Sequence, residues 1–174
     1  MERPIILSAA AVQKILNNET SGFIRPDKGR SYEMSDILWV REPWVLMNVT
    51  PEGQIGKLNY YYMADVPDRR PEGWKCHWKS SIHMPREGAR LFLRPVDIRH
   101  KRLRDITAEE LAICGYNIPQ EDIRQKFGID IWNKSLSTGD YRTYRWQANP
   151  LVYIIQFERI TDLVHVKGNY YIPR

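Results

Sequence analysis

The stretch Trp78–Arg94, WKSSIHMPREGARLFLR, joins a basic loop to an apolar strand. Its first half contains a lysine, two serines, a histidine and an arginine, and its second half is an apolar run flanked by Arg90 and Arg94. A loop that is rich in cations and hydroxyls, and that is held by the strand behind it, is typical of a surface that binds an anionic partner. The alternative is a surface loop whose charges are only solvated by water.

The whole chain has the length of one domain and a mildly basic composition. It contains 174 residues, with 26 Lys and Arg against 21 Asp and Glu, which gives a formal net charge of +5. This length is enough to bury a proper core, so we expect a single domain over residues 1–174. The positive charge permits a nucleic-acid partner but does not require one. Aromatic residues next to cations, as in Tyr144-Arg145-Trp146, suit stacking on bases and the exposed side of a sheet equally well.

The sequence predicts a cytoplasmic protein without membrane association, metal or cofactor. The apolar run Ile5–Val12 is too short for a membrane span and lacks the pattern of a signal peptide. Two cysteines are too few for a disulfide framework. Cys76, His77 and His83 lie close in sequence, but without the spacing of zinc ligands.

Hydrophobic periodicity predicts the elements of the first quarter of the chain. Pro4–Leu7 reads as a strand, and Ser8 is placed to cap a helix that ends near Asn17. Residues 20–30 contain two glycines, a proline and an aspartate, which predicts a loop. Ile37–Val45 is the clearest early strand.

Side-chain alternation in Ile37–Val45 places Glu42 on the same face as the apolar Leu38 and Val40. A carboxylate in that position must lie at the end of the sheet, pair with a cation, or take a raised pKa. Arg41 lies beside Trp39 on the opposite face, where a guanidinium group can lean on an indole ring. Both arrangements are found in structural ion pairs as well as in functional sites.

The rest of the chain predicts further strands and a few helices. Thr107–Glu110 is a capping box, and Pro119 begins a helix with the apolar stripe Ile123, Phe127, Ile131 or Trp132, and Leu136. Residues 137–140 read as a loop. The predicted strands are Leu58–Ala64, Arg90–Ile98 with an interruption at Pro95, Leu151–Ile160 and Val164–Ile172. This pattern predicts an α+β fold, a mostly antiparallel β-barrel with a few peripheral helices.

Four motifs resemble signatures of ASCH-domain proteins from phages and prophages. Residues 36–44, DILWVREPW, resemble D-x-L-W-V-R-E-x-W, and residues 78–90, WKSSIHMPREGAR, resemble W-[KR]-P-S-I-H-M-P-R-x-x-[AS]-R. Residues 102–107, RLRDIT, resemble R-L-x-D-I-[ST]. Residues 146–157, WQANPLVYIIQF, resemble the closing W-x-x-N-P-x-V-x-V-I-x-F. The resemblance covers most of the chain.

This resemblance implies a PUA-like fold, with a cleft between the barrel and a helix. PUA-like domains generally bind RNA or modified nucleobases, and some ASCH-domain proteins are enzymes. One branch removes the acyl group from acetylated cytidine with a Lys, a Thr and a Glu, and another is described as a metal-dependent ribonuclease. The lysine of the first branch has no counterpart here, because residues 17–22 read NNETSG. Ser80 also replaces a proline of the second signature.

The first functional hypothesis is the binding of RNA or of a modified nucleotide through a basic cleft. Cations would contact the phosphates, and an indole ring would stack on a base. The candidate ligand-binding residues are Arg25, Trp39, Arg41, Trp78, Ser81, Arg86 and Arg90. The hypothesis requires that the segments around residues 41 and 83 come together in the fold.

Two alternatives come from other classes of function. A hydrolase acting on a modified pyrimidine nucleoside or an RNA phosphodiester would use Glu42 and His83 as acid and base, with Lys79 as electrostatic stabiliser. A structural interpretation of His83 is that it locks the loop by bonding a backbone carbonyl group. The second alternative is a phage assembly protein that binds a protein partner and no ligand.

Overall fold

The computed structural model describes residues 1–49, 55–66, 77–162, 164–166 and 169–171, which form an α+β fold. The strands are Glu2–Ile6 (β1), Gly22–Pro26 (β2), Ile37–Arg41 (β3), Trp44–Val49 (β4), Ile55–Tyr62 (β5), Phe92–Arg102 (β6), Leu151–Arg159 (β7), Val164–Val166 (β8) and Asn169–Tyr171 (β9). The helices are Ala9–Leu16 (α1), Ala108–Ile113 (α2), a π-helix at Ile123–Trp132, Asn133–Ser135 (α3) and Thr138–Tyr144 (α4). The predicted α+β class is confirmed.

Five strands form a mixed sheet in the order β1-β3-β6-β7-β2. The pair β1–β3 is parallel, whereas β3–β6 and β2–β7 are antiparallel. Two further sheets contain two strands each, β4–β5 and β8–β9. Within the described residues the five-stranded sheet is open, with β1 and β2 at its edges. The last predicted strand, Val164–Ile172, is the hairpin β8–β9 as far as the structure describes it.

The chain divides into two compact units. The first consists of Met1–Asn17, Ile37–Arg94 and Arg159–Arg174, and the second of Asn18–Asp36 and Pro95–Glu158. Strand β6 belongs to both and continues through Pro95, where an interruption was expected. Its register with β3 uses only Phe92 and Leu93, so the missing N–H group of Pro95 costs no hydrogen bond to β3.

The first unit begins as the sequence predicts. Ser8 caps α1, since its Oγ accepts a hydrogen bond from the Ala11 N–H at 3.2 Å. Val12 and Ile15 form the buried face of this helix. In the part of the chain that the structure describes, every helix lacks the length and apolar character needed to cross a lipid bilayer.

The predicted single strand Ile37–Val45 is in fact two strands. β3 ends at Arg41, and β4 begins at Trp44 and pairs with β5. Pro43 lies between them; it has no N–H group to donate, and its carbonyl oxygen accepts from the Met63 N–H at 3.0 Å. The interruption at Glu42-Pro43 is therefore the point where the chain leaves one sheet and enters another.

In the second unit, residues 22–26 form an edge strand where a loop was expected. β2 pairs antiparallel with β7, from Gly22 opposite Gln156 to Pro26 opposite Val152. Gly22 marks a close approach, because a Cβ atom there would lie 2.8 Å from Cγ2 of Ile113. Glycine and proline suggested a loop, but glycine allows the packing and proline is tolerated at the strand end.

The π-helix accounts for the apolar stripe that the sequence predicts between Pro119 and Leu136. Its buried residues are Ile123, Phe127, Gly128 and Trp132, and steps of four and five residues suit i→i+5 hydrogen bonding. Three of these residues belong to the predicted stripe. Gly128 packs against the Trp146 ring, and a methyl group there would overlap the indole.

Two helix starts in this unit are set by side-chain caps. The capping box of α2 is confirmed: Thr107 Oγ1 accepts from the Glu110 N–H at 3.3 Å, and Glu110 Oε2 accepts from the Thr107 N–H at 2.9 Å. Residues 137–140, expected to be a loop, begin α4, since Ser137 Oγ accepts from the Asp140 N–H at 3.2 Å. The serine that suggested a loop is thus an N-cap.

Glu110 also joins α2 to β6. It is 2% exposed and accepts hydrogen bonds from Lys101 Nζ and Arg99 Nη1, each at 3.1 Å. Burial raises the pKa of Glu110, but the hydrogen bonds from Thr107, Lys101 and Arg99 outweigh burial and leave the pKa below its ordinary value of 4.5.

We expect Glu110→Gln to lower the free energy of unfolding by about 1–3 kcal/mol at neutral pH, because the amide keeps the capping acceptor but loses both charge-assisted bonds. The lowered folded-state pKa means that the carboxylate stabilises the fold above pH 4.5 and that this stability is lost as the pH falls through the folded value. Urea unfolding should therefore show a smaller difference at about pH 3 than at neutral pH. Glu109→Gln, an exposed neighbour, is the control and should change stability by less than about 0.5 kcal/mol. A difference independent of pH would contradict this role of Glu110.

Candidate nucleic-acid interface

The segments around residues 41 and 83 lie against each other in the first unit. Arg41 Nε donates to the Met84 carbonyl oxygen at 2.9 Å, and the Glu42 N–H contacts Met84 Sδ at 3.2 Å. Met84 is fully buried and anchors the loop on the end of β3. The Leu7 N–H donates to the Arg41 carbonyl oxygen at 2.9 Å, so β1 supports the same point.

A second link joins the start of β4 to the start of the loop. The Trp44 N–H donates to the Lys79 carbonyl oxygen at 3.2 Å, and the Lys79 N–H donates to the Trp44 carbonyl oxygen at 2.8 Å. The Lys79 ammonium nitrogen lies 4.9 Å from the centroid of the Trp44 indole ring. Arg41 and Trp44 are three residues apart, which is at most about 11 Å of chain, so Arg41 and Lys79 occupy one region.

The loop itself consists of two short 3₁₀ turns, Ser81–His83 and Arg86–Gly88. Ser80 caps the first turn through its Oγ, which accepts from the Ile82 N–H at 3.5 Å. Ser81 is buried, and its Oγ donates to the Leu7 carbonyl oxygen at 3.5 Å. The Ser81 hydroxyl therefore holds the loop in place and is turned away from solvent.

Arg90 forms hydrogen bonds with two carboxylates. It donates to Glu42 through Nε at 2.9 Å and Nη2 at 3.1 Å, and to Asp65 through Nη1 at 2.7 Å. The Glu42 side chain is 1% exposed. Burial raises the pKa of Glu42, and the hydrogen bonds from Arg90 oppose that rise. Burial lowers the pKa of Arg90, but the bonds to Glu42 and Asp65 outweigh it and raise the pKa above its ordinary value.

Arg86 also has a carboxylate partner. Its guanidinium group donates to Glu2 through Nε at 2.7 Å and Nη2 at 3.0 Å, and it lies 4.4 Å from the Phe92 ring centroid. The hydrogen bond from Arg86 holds the pKa of Glu2 below its ordinary value. Two of the four candidate cations of this unit are therefore paired with carboxylates.

Arg41 and Lys79 differ from Arg86 and Arg90, because neither has a carboxylate partner among the described residues. The Arg41 guanidinium carbon lies 5.1 Å from the Trp39 ring centroid, as the strand alternation suggested. Trp39 is only 9% exposed, and Arg41 covers its face, so its ring is not open for stacking on a base. Trp78 is half-buried and immediately precedes Lys79.

The other candidates lie in different surroundings. His83 is exposed, and within the described part of the chain its ring has no hydrogen-bonding partner. Arg25 belongs to the second unit, on β2, with its guanidinium carbon 5.6 Å from the Phe23 ring centroid. Burial lowers the pKa of Arg25. The structure therefore links the segments that carry Arg41, Lys79 and His83, and it pairs Glu42 with Arg90 inside the unit.

The Trp44 indole carries a buried donor that the sequence did not predict. Its ring is buried, and its Nε1–H has no acceptor among the described residues. An unsatisfied buried donor costs about 1–3 kcal/mol. Because this N–H is itself buried, it is a cost inside the first unit and is not open to a ligand.

Sequence reasoning also missed a cavity in the second unit. It has a volume of about 290 Å³ and is lined by Arg104, Arg124, Trp146 and Gln147. Arg104 and Trp146 lie in two of the sequence motifs, and this was the feature of the sequence that could have indicated the cavity. In the part of the chain that the structure describes, no group of three or more His, Cys, Asp or Glu side chains is arranged to hold a metal ion, and Cys76 lies outside that part.

Comparison of the chain with protein-family models, with curated proteins and with solved structures gives no match.

Proposed function

We propose that this protein binds RNA or a modified nucleotide through Arg41, Lys79 and His83, which we call the Arg41–Lys79 surface. The observation that supports this function best is that two segments distant in sequence lie against each other and each carries a cation, neither of them neutralised by a described carboxylate. Backbone contacts fix both segments, so the loop backbone needs little ordering when an anion binds.

The donors of this surface suit phosphate oxygens. Arg41 uses Nε for the Met84 carbonyl group, and its two terminal nitrogens form no hydrogen bond with the described residues. A guanidinium edge of this kind binds phosphate oxygens in a bidentate manner. Lys79, which is exposed, adds a point charge. Trp78, which immediately precedes Lys79, is half-buried.

We further propose that the fold is a PUA-like barrel of the ASCH type. The sequence motifs support this proposal, and so does the mixed five-stranded sheet with helices between its strands. In this proposal the second motif forms the loop that carries Lys79 and His83.

A hydrolytic function has weaker support than binding. Glu42 would be its acid or base, but both Glu42 oxygens accept hydrogen bonds from Arg90, and the side chain is 1% exposed. Glu42 is therefore placed to balance the charge of Arg90 inside the unit, and a substrate would not reach it.

We expect Lys79→Gln and Arg41→Gln each to weaken binding of a short fluorescein-labelled single-stranded RNA, measured by fluorescence anisotropy. The logarithm of the association constant should fall linearly with the logarithm of the salt concentration between about 50 and 200 mM. Each variant removes one phosphate contact and should therefore reduce the magnitude of that slope by about 1. Lys79→Gln is the cleaner test, because the Lys79 ammonium group forms no described hydrogen bond and its loss should leave the fold intact.

Lys57→Gln is the matched control for the loss of one positive charge in the same unit. Lys57 is exposed on β5, five residues from Tyr62, which pairs with Trp44, so it lies roughly 16 Å along the strand from this surface. Its variant should bind as the parent does. The proposal is wrong if the Arg41→Gln, Lys79→Gln double variant binds RNA as well as the parent at low salt.

A further inference from the structure

The cavity of the second unit has the composition of an anion-binding site. Its volume of about 290 Å³ is at the lower end of the range of small-molecule sites, which is roughly 300–1,000 Å³. Two of its four lining residues are arginines, one is a glutamine and one is a tryptophan, and none is acidic. All of them belong to the second unit, so this site does not depend on the Arg41–Lys79 surface.

Arg104 is held rigidly at the cavity wall. Its Nε donates to the Trp146 carbonyl oxygen at 3.3 Å, and its Nη2 donates to the Gln147 carbonyl oxygen at 2.8 Å. Its backbone N–H donates to Asn149 Oδ1 at 2.9 Å. These bonds use neutral acceptors, so the positive charge of Arg104 is positioned but not neutralised.

Arg124 lies on the π-helix and supplies the second charge. It is exposed and has no hydrogen bond or ion pair with the described residues. Two carboxylates of this segment have other partners: Asp122 accepts from Lys126 at 2.7 Å, and Asp130 accepts from Lys134 at 3.4 Å, while Glu121 forms no described ion pair with Arg124. The charge of Arg124 is therefore available to a ligand in the cavity.

The other two lining residues, Trp146 and Gln147, are held in place by Gly128 and by the side-chain amide of Asn133. The Trp146 ring lies on Gly128, and the backbone N–H of Trp146 donates to Asn133 Oδ1 at 2.7 Å. Gln147 Oε1 accepts from Asn133 Nδ2 at 3.2 Å, which leaves the Gln147 amide NH₂ group for another acceptor. The cavity thus offers two guanidinium groups and an amide donor against a rigid indole wall.

We propose that this cavity binds the phosphate group of a phosphomonoester no larger than a nucleoside monophosphate. Two arginines without a carboxylate between them recognise a dianionic phosphate better than a neutral ligand, because charge-assisted hydrogen bonds to phosphate oxygens are about twice as strong as neutral ones. The volume admits a small phosphorylated molecule.

The test is isothermal titration calorimetry of the full chain with adenosine 5′-monophosphate, adenosine and inorganic phosphate as separate probes. We expect the monophosphate and inorganic phosphate to bind and adenosine not to bind. Arg124→Gln should weaken the binding of both phosphates by about tenfold or more, because it removes a charge-assisted bond. Arg142→Gln removes an equally exposed positive charge of the same unit that does not line the cavity, and should change the affinity by less than about twofold.

The Lys79→Gln background separates this site from the Arg41–Lys79 surface. If adenosine 5′-monophosphate still binds to the Lys79→Gln variant, and if that binding is lost in the double variant Lys79→Gln, Arg124→Gln, then it takes place in the cavity. Binding that is lost with Lys79 alone and unchanged in Arg124→Gln would overturn the cavity proposal and leave the proposed function standing. Absence of binding by either phosphate, or an equal loss in Arg142→Gln, would also overturn it.

Discussion

Replacing Arg90 with methionine is expected to lower the free energy of unfolding by about 3–5 kcal/mol. The variant keeps the volume of the side chain but leaves Glu42, whose side chain is 1% exposed, without its bidentate partner. Removing one partner of a buried ion pair leaves an uncompensated charge out of contact with water, which is strongly destabilising. Denaturant unfolding at neutral pH, monitored by tryptophan fluorescence, measures the loss.

The deficit of Arg90→Met should shrink as the pH is lowered. Burial already raises the pKa of Glu42, and removal of Arg90 removes the interaction that opposes this rise. A carboxyl group whose folded-state pKa is raised stabilises the fold when it is protonated, and that stability is lost as the pH rises through the folded value. The variant should therefore be closest to the parent in mild acid.

Arg86→Met is the matched control for Arg90→Met. Arg86 also forms two hydrogen bonds with one carboxylate, but the side chains of Arg86 and Glu2 are 27% and 43% exposed. An exposed pair contributes at most about 1 kcal/mol, so this variant should be nearly as stable as the parent. Glu42→Gln in the Arg90→Met protein should recover most of the loss, because it removes the buried charge. Equal losses in Arg86→Met and Arg90→Met would contradict the buried pair.

Gly128→Ala is expected to destabilise the protein by about 1–3 kcal/mol or more. A methyl group at this position would overlap the indole ring of Trp146, which is 6% exposed and packs in the core of the second unit. Helix propensity alone predicts the opposite sign, since alanine is favoured over glycine by about 1 kcal/mol inside a helix. The sign of the measured change in thermal unfolding therefore separates the packing argument from propensity.

Gly139→Ala provides the comparison for Gly128→Ala. Gly139 lies in α4, and a Cβ atom there would meet no atom within 4 Å. This variant should stabilise the protein by about 0.4–1 kcal/mol, because alanine restricts the unfolded chain more than glycine does. If both variants were stabilising, Trp146 would not be packed on Gly128 as the structure shows.

The sequence by itself determined the features that depend on neighbouring residues. Ser8 as the cap of α1, the capping box of α2 and the alternation of side chains along β3 all follow from the positions of a few adjacent residues. The same alternation showed that Glu42 faces the core and therefore needs a cation, a raised pKa or the end of a sheet. It also showed that Arg41 can lie on Trp39, and the structure confirms that contact.

Only the tertiary structure decided which cations are paired. In the sequence Arg41, Lys79, Arg86 and Arg90 are equivalent, but Arg90 and Glu42 are 48 residues apart, and Arg86 and Glu2 are 84 residues apart. The edge strand β2, the π-helical spacing and the cavity around Arg104 and Arg124 likewise depend on partners that are distant in the chain. Local patterns specify which face of an element is apolar, whereas counter-ions and cavities are set by long-range packing. The sequence could therefore predict a basic region around these residues. The tertiary structure then showed that Arg41 and Lys79 are the cations of this region without a described carboxylate partner.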